Sequence, residues 1–512
     1  MRFCSYIFTF LLSVIILTAP LIVNAQAISK KTADSRWRTS FELIPIDADE
    51  DMGLLGIHYD IFPFYECANC YMGIGGYSGA SGEEGGFFTA GLTAGWLYEL
   101  STNLKTDVGI HIGGGGGSDA TYPGGGLIVR SHLGLQYFEN YGFNFGVANI
   151  NFPNTTKQNN SDTHFYFGLT LPDSIWIGSG SNSAAPFAGS RTGFRVSPAF
   201  LLYRPTQIPI TKAGTFTAGT RNDDIPLMGI QLSWHNGQLF FPLELYGAAG
   251  GGVDGYASIF SGVGYVTPVI NDLLLLEGKA LLGVGGDGRL DTGGGALAHP
   301  MLGLRAQIDR NWSVATFLGK VYGLDGKFEA TSAELSVSWS ADRPKSGQNT
   351  TAIFDDTIFD FTKWHGSLAN KIYFPKSNIR QTDGEQFDRE LHLFGVEMER
   401  PFTNYISAVG NTYWAHTGNI GSYAEGGLGV KVKSQTKKID LFALGLLSVA
   451  GGGDIEVDKG FLISAEIGIG YKIDNNLFID LSAGYTQSSE KSFQAEVATI
   501  KLRWATDTVF YK

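Results

Sequence analysis

Cysteine, charge and long apolar runs are all scarce in this chain of 512 residues. Three cysteines occur, of which Cys67 and Cys70 lie beyond the apolar amino terminus. Charged residues make up 17% of the chain, the formal net charge is −12, and Lys and Arg form no cluster. Because binding to a polyanion needs clustered Lys and Arg, the composition argues against nucleic acid as a partner.

The apolar segments are arranged unlike those of a helical membrane protein. Residues 1–27 are typical of a secretory signal peptide, with Arg2 before an apolar core and small residues at the end for cleavage. Past residue 30, no apolar run reaches the roughly 20 residues that a membrane-spanning helix needs. If the exported chain spans a membrane, we expect a closed β-barrel, because hydrocarbon tolerates only helices and closed sheets.

The two remaining cysteines stand together in Cys67-Ala68-Asn69-Cys70. In the oxidising compartment that a signal peptide implies, this spacing favours a disulfide that staples a turn. No thioredoxin-like pattern surrounds the pair, no His follows for haem attachment, and two thiols make half of a zinc site. The sequence therefore predicts neither a cofactor nor a metal.

Glycine, with 69 residues, and aromatic residues, at 13%, are abundant, and residues 465–485 show how such residues are used. One face of this segment is apolar and the other is polar or glycine, namely Ala465, Ile467, Ile469, Tyr471 and Ile473 against Glu466, Gly468, Gly470 and Lys472. The alternation resumes after Asp474-Asn475-Asn476. Alternation with a period of two on both sides of a polar turn predicts a β-hairpin with one apolar face.

Glycines within these alternating segments recur at nearly constant spacing. Two such sets are Gly56, Gly229 and Gly395, and Gly134, Gly303 and Gly468. The first set is spaced by 229 − 56 = 173 and 395 − 229 = 166 positions, and the second by 303 − 134 = 169 and 468 − 303 = 165. Like spacing in two sets predicts one unit present three times.

Each copy contains eight alternating segments, so we predict an all-β, antiparallel, up-and-down transmembrane β-barrel architecture. The three repeats are predicted at residues 36–171, 191–340 and 364–504. Short turns alternate with longer polar connections, as expected if the short turns lie on the inner side of an outer membrane. Three tandem barrels are favoured over one 24-stranded barrel, because the connections 172–190 and 341–363 can walk between neighbouring barrels.

If the apolar faces meet lipid, the polar faces line the interiors. The residues predicted to line a lumen are Lys105, Asp107, His111, Arg130, His132, Glu277, Lys279, Glu466, Lys501 and Arg503. Opposite charges on such faces neutralise one another across strands, which a narrow interior requires. Two hypotheses fit: a structural salt-bridge network that fills the barrel, or a selectivity lining for an aqueous pore.

Catalysis has little support in the sequence. His111, His132 and Asp107 share one predicted interior, and His164 stands near Asp162 in a predicted loop. No Gly-x-Ser-x-Gly elbow or His-Glu-x-x-His motif accompanies them. We therefore expect that the protein is not an enzyme.

Aromatic residues near the predicted strand ends have two explanations. The set comprises Phe62, Phe64, Tyr65, Trp96, Tyr98, Tyr137, Tyr471 and Trp504. An aromatic girdle at the membrane interface is one, and a stacking platform for sugars is the other.

The unit resembles the OmpA-like family of small outer-membrane barrels at the level of pattern. The resemblance is carried by residues 468–477, Gly-Ile-Gly-Tyr-Lys-Ile-Asp-Asn-Asn-Leu, and by the alternating strands around them. It implies eight antiparallel strands per copy, an outer-membrane location and assembly by the barrel-insertion machinery. It carries over no functional residue.

Two functions follow from this architecture. The first is a structural or surface-interaction protein that presents loops to an extracellular surface or polysaccharide. The second is porin-like passive transport of small solutes across the outer membrane, which a merged barrel would favour.

Overall fold

The computed structural model describes residues 32–511. It leaves out residues 48–49, 63–66, 83–85, 117–125, 139–141, 154–160, 177–182, 188–190, 207–223, 254, 272, 289, 291, 325–327, 345–349, 355–358, 377–378, 382–383, 418–419, 421, 435–437, 459 and 474–475. The predicted signal peptide lies outside the described residues. Within them, no helix has the length and apolar character needed to cross a membrane.

The first repeat is a closed barrel of eight antiparallel strands, which we call barrel 1. Its strands are β1 (Thr32–Asp47), β2 (Glu50–Ile61), β3 (Cys70–Ser81), β4 (Phe88–Glu99), β5 (Leu104–Gly116), β6 (Leu127–Phe138), β7 (Gly142–Asn151) and β8 (Ser161–Trp176). The first and last strands pair with each other, for example Phe41 with Phe167, so the sheet has no free edge.

Barrel 2 repeats this arrangement after a short strand, β9 (Ser183–Phe187). Its strands are β10 (Arg191–Pro205), β11 (Ile225–Asn236), β12 (Leu239–Ala248), β13 (Ala257–Ile270), β14 (Leu274–Gly286), β15 (Ala296–Gln307), β16 (Trp312–Gly323) and β17 (Glu329–Pro344). Closure again joins the first strand to the last, with Leu201 opposite Glu334.

Barrel 3 follows β18 (Thr350–Phe354), which pairs with β9 in a separate two-stranded sheet. Its strands are β19 (Phe359–Pro375), β20 (Leu391–Pro401), β21 (Ile406–Thr417), β22 (Ala424–Ser434), β23 (Ile439–Gly451), β24 (Phe461–Lys472), β25 (Leu477–Ser488) and β26 (Gln494–Tyr511). The fold is therefore three closed eight-stranded barrels, and the alternative of one 24-stranded barrel is wrong.

Except for β10, which begins at the predicted residue 191, the first and last strands of each barrel run past the predicted repeat bounds. In barrel 3, pairing of β19 with β26 continues from the barrel wall to Phe359 opposite Tyr511. Strand β20 pairs with β19 only from His365 onward, so these last pairs form a two-stranded extension. The alternation in the sequence therefore located the barrel wall but not this extension.

The two ends of each barrel differ in their connections. We call the end where the chain enters and leaves each barrel the entry end, and the opposite end the loop end. Entry-end turns are mostly short, such as residues 100–103, 237–238 and 402–405. Connections at the loop end include residues 206–224 and 376–390. The predicted asymmetry between short and long connections is present in the fold.

Side chains alternate between the outside and the inside of each wall, as the strand pleat requires. In β24, Ile467 is 72% exposed, whereas its neighbour Glu466 is buried in the interior. In barrel 1, Phe165 is 82% exposed beside the buried Tyr166. The outward positions are predominantly apolar and the inward positions carry the charges, an inversion of the usual soluble fold.

Cys67 and Cys70 form a disulfide in the turn between β2 and β3 at the entry end of barrel 1. The Cys70 amide also donates a hydrogen bond to the Cys67 carbonyl oxygen at 3.1 Å, so the turn is closed by the backbone as well. The predicted staple is therefore present in the fold.

Because the closed loop is short, replacing both cysteines by Ser should cost only about 2 kcal/mol of stability. Urea denaturation followed by tryptophan fluorescence measures this loss. Wild-type protein treated with a reductant is the matched control and should unfold at the same urea concentration as the double variant. Failure of the double variant to form its β-sheet would contradict a role limited to stapling the turn.

Candidate functional site

The inward faces of barrel 1 bring together charges from three strands near the entry end. The Arg36 guanidinium contacts Asp60 at 2.9 Å and Asp107 at 3.0 Å, and it donates to the Gln136 side chain at 2.7 Å. The Tyr71 hydroxyl donates to the other Asp107 oxygen at 2.8 Å. The predicted lining residue Asp107 is thus fully engaged, and the partner residue Arg36 was not predicted.

A second network in barrel 1 centres on Glu42 of β1. Arg130 donates to Glu42 through Nε at 2.9 Å, and His164 Nε2 lies 2.8 Å from the same carboxylate. His164 Nδ1 contacts Asp162 at 2.9 Å. Asp162 and His164 belong to β8 and not to a loop, which corrects the sequence prediction.

The remaining predicted histidines of barrel 1 are buried among other interior side chains. His132 lies between Arg130, at 3.1 Å, and Asp107, at 3.3 Å. His111 packs its ring against Tyr77 and His58, with ring centroids 5.2 and 5.4 Å away, and neither of its ring nitrogens has a hydrogen-bond partner. Across the described ranges, His, Cys, Asp and Glu form no group of three that could hold a metal ion.

Barrel 2 contains two compact networks built around predicted residues. Lys279 lies between Glu244 at 2.6 Å and Glu334 at 2.8 Å, and the Tyr246 hydroxyl is 3.2 Å from each of these carboxylates. Glu277 accepts from Arg305 at 2.8 and 3.0 Å and pairs with Arg195 at 3.1 Å.

Barrel 3 has the most heavily charged interior. Lys501 binds Glu397 at 2.6 Å, and Glu466 accepts from the Ser482 hydroxyl at 2.6 Å and lies 4.0 Å from Lys371. Closer to the entry end, Arg503 binds both oxygens of Asp480 at 2.8 and 3.1 Å. Lys431 links Asp480, at 3.2 Å, to Glu399 at 3.1 Å, so the ion pairs form a continuous chain.

Buried cations and anions are equal in number within each barrel wall. Among the described strand residues, the buried charges are Arg36, Arg38 and Arg130 with Glu42, Asp60 and Asp107 in barrel 1; Arg195, Lys279 and Arg305 with Glu244, Glu277 and Glu334 in barrel 2; and Lys371, Lys431, Lys433, Lys501 and Arg503 with Glu397, Glu399, Glu425, Glu466 and Asp480 in barrel 3. An unpaired charge in such an interior would be costly, and the buried strand charges of each barrel balance as a whole.

Apolar side chains fill the loop end of each interior, above the charges. In barrel 3, inward strand residues such as Tyr373 and Tyr413 pack in one cluster with Ile379, Phe387 and Phe493 from the loops. Barrel 2 has an equivalent cluster that includes Tyr203, Tyr256 and Phe328, and barrel 1 has one that includes Tyr77, Phe87 and Phe152. Each interior is therefore closed by an apolar plug over a neutral charge network.

Lys105 is placed differently from the other predicted lining residues. Its side chain is 27% exposed and binds Glu99, itself 60% exposed, at 2.9 Å. This pair lies at the entry end of β4 and β5, so Lys105 belongs to the rim and not to the buried network. The alternation assigned Lys105 to the correct face of β5, but it contains no information about how far along the barrel axis a residue lies.

Several central partners were not identified from the sequence. Arg36, Arg38 and Glu42 share the inward parity of β1, and Glu397 and Glu399 share that of β20. Applying the same inward-face assignment to every strand of the sequence would have identified these residues. Which cation meets which carboxylate depends on strand register and rotamer, and the sequence specifies neither.

Comparison with known proteins gives no family for this chain. No protein-family model matches it, and no curated protein matches it. Membership of the OmpA-like family therefore stays a prediction.

Solved outer-membrane proteins are among the structures that match. OccK5 (OpdH) from Pseudomonas aeruginosa is 9% identical, with 94% of this chain and 99% of that chain covered and a TM-score of 0.21. The copper transporter OprC is 8% identical over 92% and 80%, with a TM-score of 0.29. The siderophore receptor PirA from Acinetobacter baumannii is 9% identical over 93% and 81%, with a TM-score of 0.30. Scores this low carry no weight for a shared fold or function.

Replacing Lys279 by Met should destabilise the protein by about 3 to 5 kcal/mol, because Glu244 and Glu334 would be left buried without their cation. The matched control is Lys105→Met, which removes a rim ion pair and should leave the unfolding midpoint nearly unchanged. Urea denaturation of both variants measures the difference. Equal unfolding midpoints for the two variants would show that the ion pairs of Lys279 are as solvated as the rim pair of Lys105 and Glu99.

Proposed function

We propose that this chain is an outer-membrane protein whose three closed barrels serve a structural or surface-interaction role. Its apolar exterior supports a lipid environment. Large side chains that are exposed on the barrel walls include Leu133 and Phe167 in barrel 1, Leu282 and Leu318 in barrel 2, and Leu441 and Ile467 in barrel 3. Continuous apolar exteriors of this extent belong in hydrocarbon and not in water.

Aromatic side chains at the entry end support an interfacial girdle. Trp96, Tyr98, Tyr137, Tyr471 and Trp504 are exposed near the entry ends of their strands. Trp and Tyr favour the membrane interface because one part of the ring system is apolar and another is polar. Phe64 and Tyr65, from the same predicted set, lie outside the described residues.

The closed interior is the observation that carries the proposed role. A conducting lumen needs water and accessible charge along its length. Here every barrel has eight strands, which leave room only for side chains. The charges are paired and neutral, and the apolar plug covers them at the loop end. This arrangement favours anchoring over conduction.

The loop end is the surface that such an anchor would present outside the cell. Short turns face the periplasm in outer-membrane barrels, and longer loops face outward. By this rule residues 206–224 and 376–390 are extracellular. The candidate partners are outer-membrane lipid, the barrel-assembly machinery during biogenesis, and an extracellular surface or polysaccharide. No catalytic role, cofactor or nucleic-acid partner forms part of this proposal.

Porin-like passive transport is the second candidate. The matched structures include a copper transporter and OpdK with vanillate, so the comparisons favour transport over a structural role. Their TM-scores of 0.29 and 0.22 give that preference no structural support. Transport through a barrel would require its ion-pair network and its apolar plug to move aside together.

Purified protein in a planar lipid bilayer should insert without opening a persistent conducting pore. We expect no continuous water path, because an eight-stranded interior leaves room only for side chains. An outer-membrane porin measured in the same bilayer is the positive control. Stable conductance steps like those of the control would overturn the closed-barrel role and favour transport.

Replacing the outward-facing Ile467 by Arg should destabilise the membrane-embedded protein by about 2 to 4 kcal/mol, because this residue lies midway along β24. Asp388→Arg, in the exposed loop between β19 and β20, introduces the same side chain away from lipid and is the control. Urea denaturation in phospholipid vesicles compares them. A loss no larger than that of the control would contradict contact between this face and hydrocarbon.

A further inference from the structure

Barrels 1 and 2 meet at their loop ends through the backbone of one turn from each. Gly86 lies in the turn between β3 and β4, and Asp287 lies in the turn between β14 and β15. A Cβ added at Gly86 would overlap the backbone of Asp287, so the two turns touch without intervening side chains.

Barrels 2 and 3 meet in the same way. Gly255, in the turn between β12 and β13, approaches Gly452, in the turn between β23 and β24, so that a Cβ at Gly255 would lie 2.7 Å from the Gly452 amide nitrogen. Just below, a Cβ at Gly247 of β12 would lie 2.8 Å from the Val449 side chain of β23.

Barrel 3 returns to barrel 1 and closes the circle. The end of β21 lies against the end of β5, where a Cβ added at Gly114 would overlap the carbonyl oxygen of Ala415.

In all three junctions, the third strand and following turn of one barrel meet the fifth strand and following turn of the next. The contacts β3 to β14, β12 to β23 and β21 to β5 are the three instances.

The junctions also use equivalent positions of the repeat. Gly86 and Gly255 are 255 − 86 = 169 residues apart, and Asp287 and Gly452 are 452 − 287 = 165 apart, which are the spacings of the repeat itself. Different faces of one unit that bind head to tail give a closed ring when their rotation closes. Here that rotation closes after three units.

Aromatic contacts join the barrels again at the entry end. Trp37 of barrel 1 meets Trp234 of barrel 2 edge to face, with ring centroids 6.0 Å apart. The Arg400 guanidinium of barrel 3 lies 4.0 Å from the ring centroid of Trp339 in barrel 2. These contacts are worth about 0.5 to 1.5 kcal/mol for an aromatic pair and up to about 2 for a cation over a ring.

We propose that the three barrels form a ring held by this repeated face, so that the chain is a trimer of barrels joined covalently. The partner of each barrel is the next barrel of the same chain. Close backbone approach at small residues drives such association in lipid, where burial of apolar surface gains little. The connections between barrels are therefore not what holds them together.

Specific protease sites placed at residues 177–182 and 355–358 test this proposal. Cutting at both leaves β9 and β18 on the barrel 2 fragment, so their pairing cannot link separate fragments. After cleavage in mild detergent, a denaturing gel should show three fragments. Native mass spectrometry should still give the mass of the uncut chain. Separate fragments under native conditions would overturn the proposal.

Two glycine substitutions combined in one variant test the face itself. Gly114→Leu adds a side chain where barrel 3 touches barrel 1, and Gly247→Leu adds one where it touches barrel 2, so the double variant should release barrel 3 after cleavage. Gly445→Leu is the matched control, because it lies on the outer face of β23 with nothing within 4 Å of an added Cβ, and its cut fragments should stay together. Retained β-sheet circular dichroism shows that the variants have folded. If the folded double variant stays assembled as firmly as the control, this face does not hold the ring.

Discussion

The constraint on which the structure depends is that a closed eight-stranded sheet has an interior too narrow for water and too small for free charge. Every inward charge must then find an opposite charge within the same barrel. Among the described strand residues, buried cations and anions are equal in number in each barrel, with three of each in barrels 1 and 2 and five of each in barrel 3. Neutrality is thus a property of each barrel, which is what independent closed units require and a shared lumen would not.

The outward faces obey the complementary constraint. Because side chains alternate strictly in a strand, a wall that buries Glu466 must expose Ile467. The two-residue period of the strands therefore determines both the ion-pair interior and the apolar exterior. A shift of one residue in any strand would place a charge in contact with lipid and an apolar residue among the charges, so strand register is under strong selection from both sides.

The sequence predicted how many strands each barrel has, the order of these strands and which of their faces points inward. It could do so because the alternation of apolar and polar residues and the repetition of the unit can be read directly from the chain. It assigned Asp107, Glu277, Lys279, Glu466 and Arg503 to the interior. It did not predict the plug, which needs loop residues such as Phe387 and Phe493 to fold back between strands. It also placed Lys105 in the lining, since alternation does not distinguish the rim from the middle. Ion-pair partners such as Arg36 with Asp107 are 71 positions apart, and only the three-dimensional register brings them together.

Covalent connection of the three barrels has a consequence for divergence. In an assembly of identical subunits, one substitution appears at every position related by symmetry. Here the three junctions are encoded separately, which is why Gly86 meets an aspartate while Gly255 meets a glycine. Each barrel can thus acquire its own loops while its neighbours and their order stay constant, and one gene specifies an asymmetric surface with fixed stoichiometry.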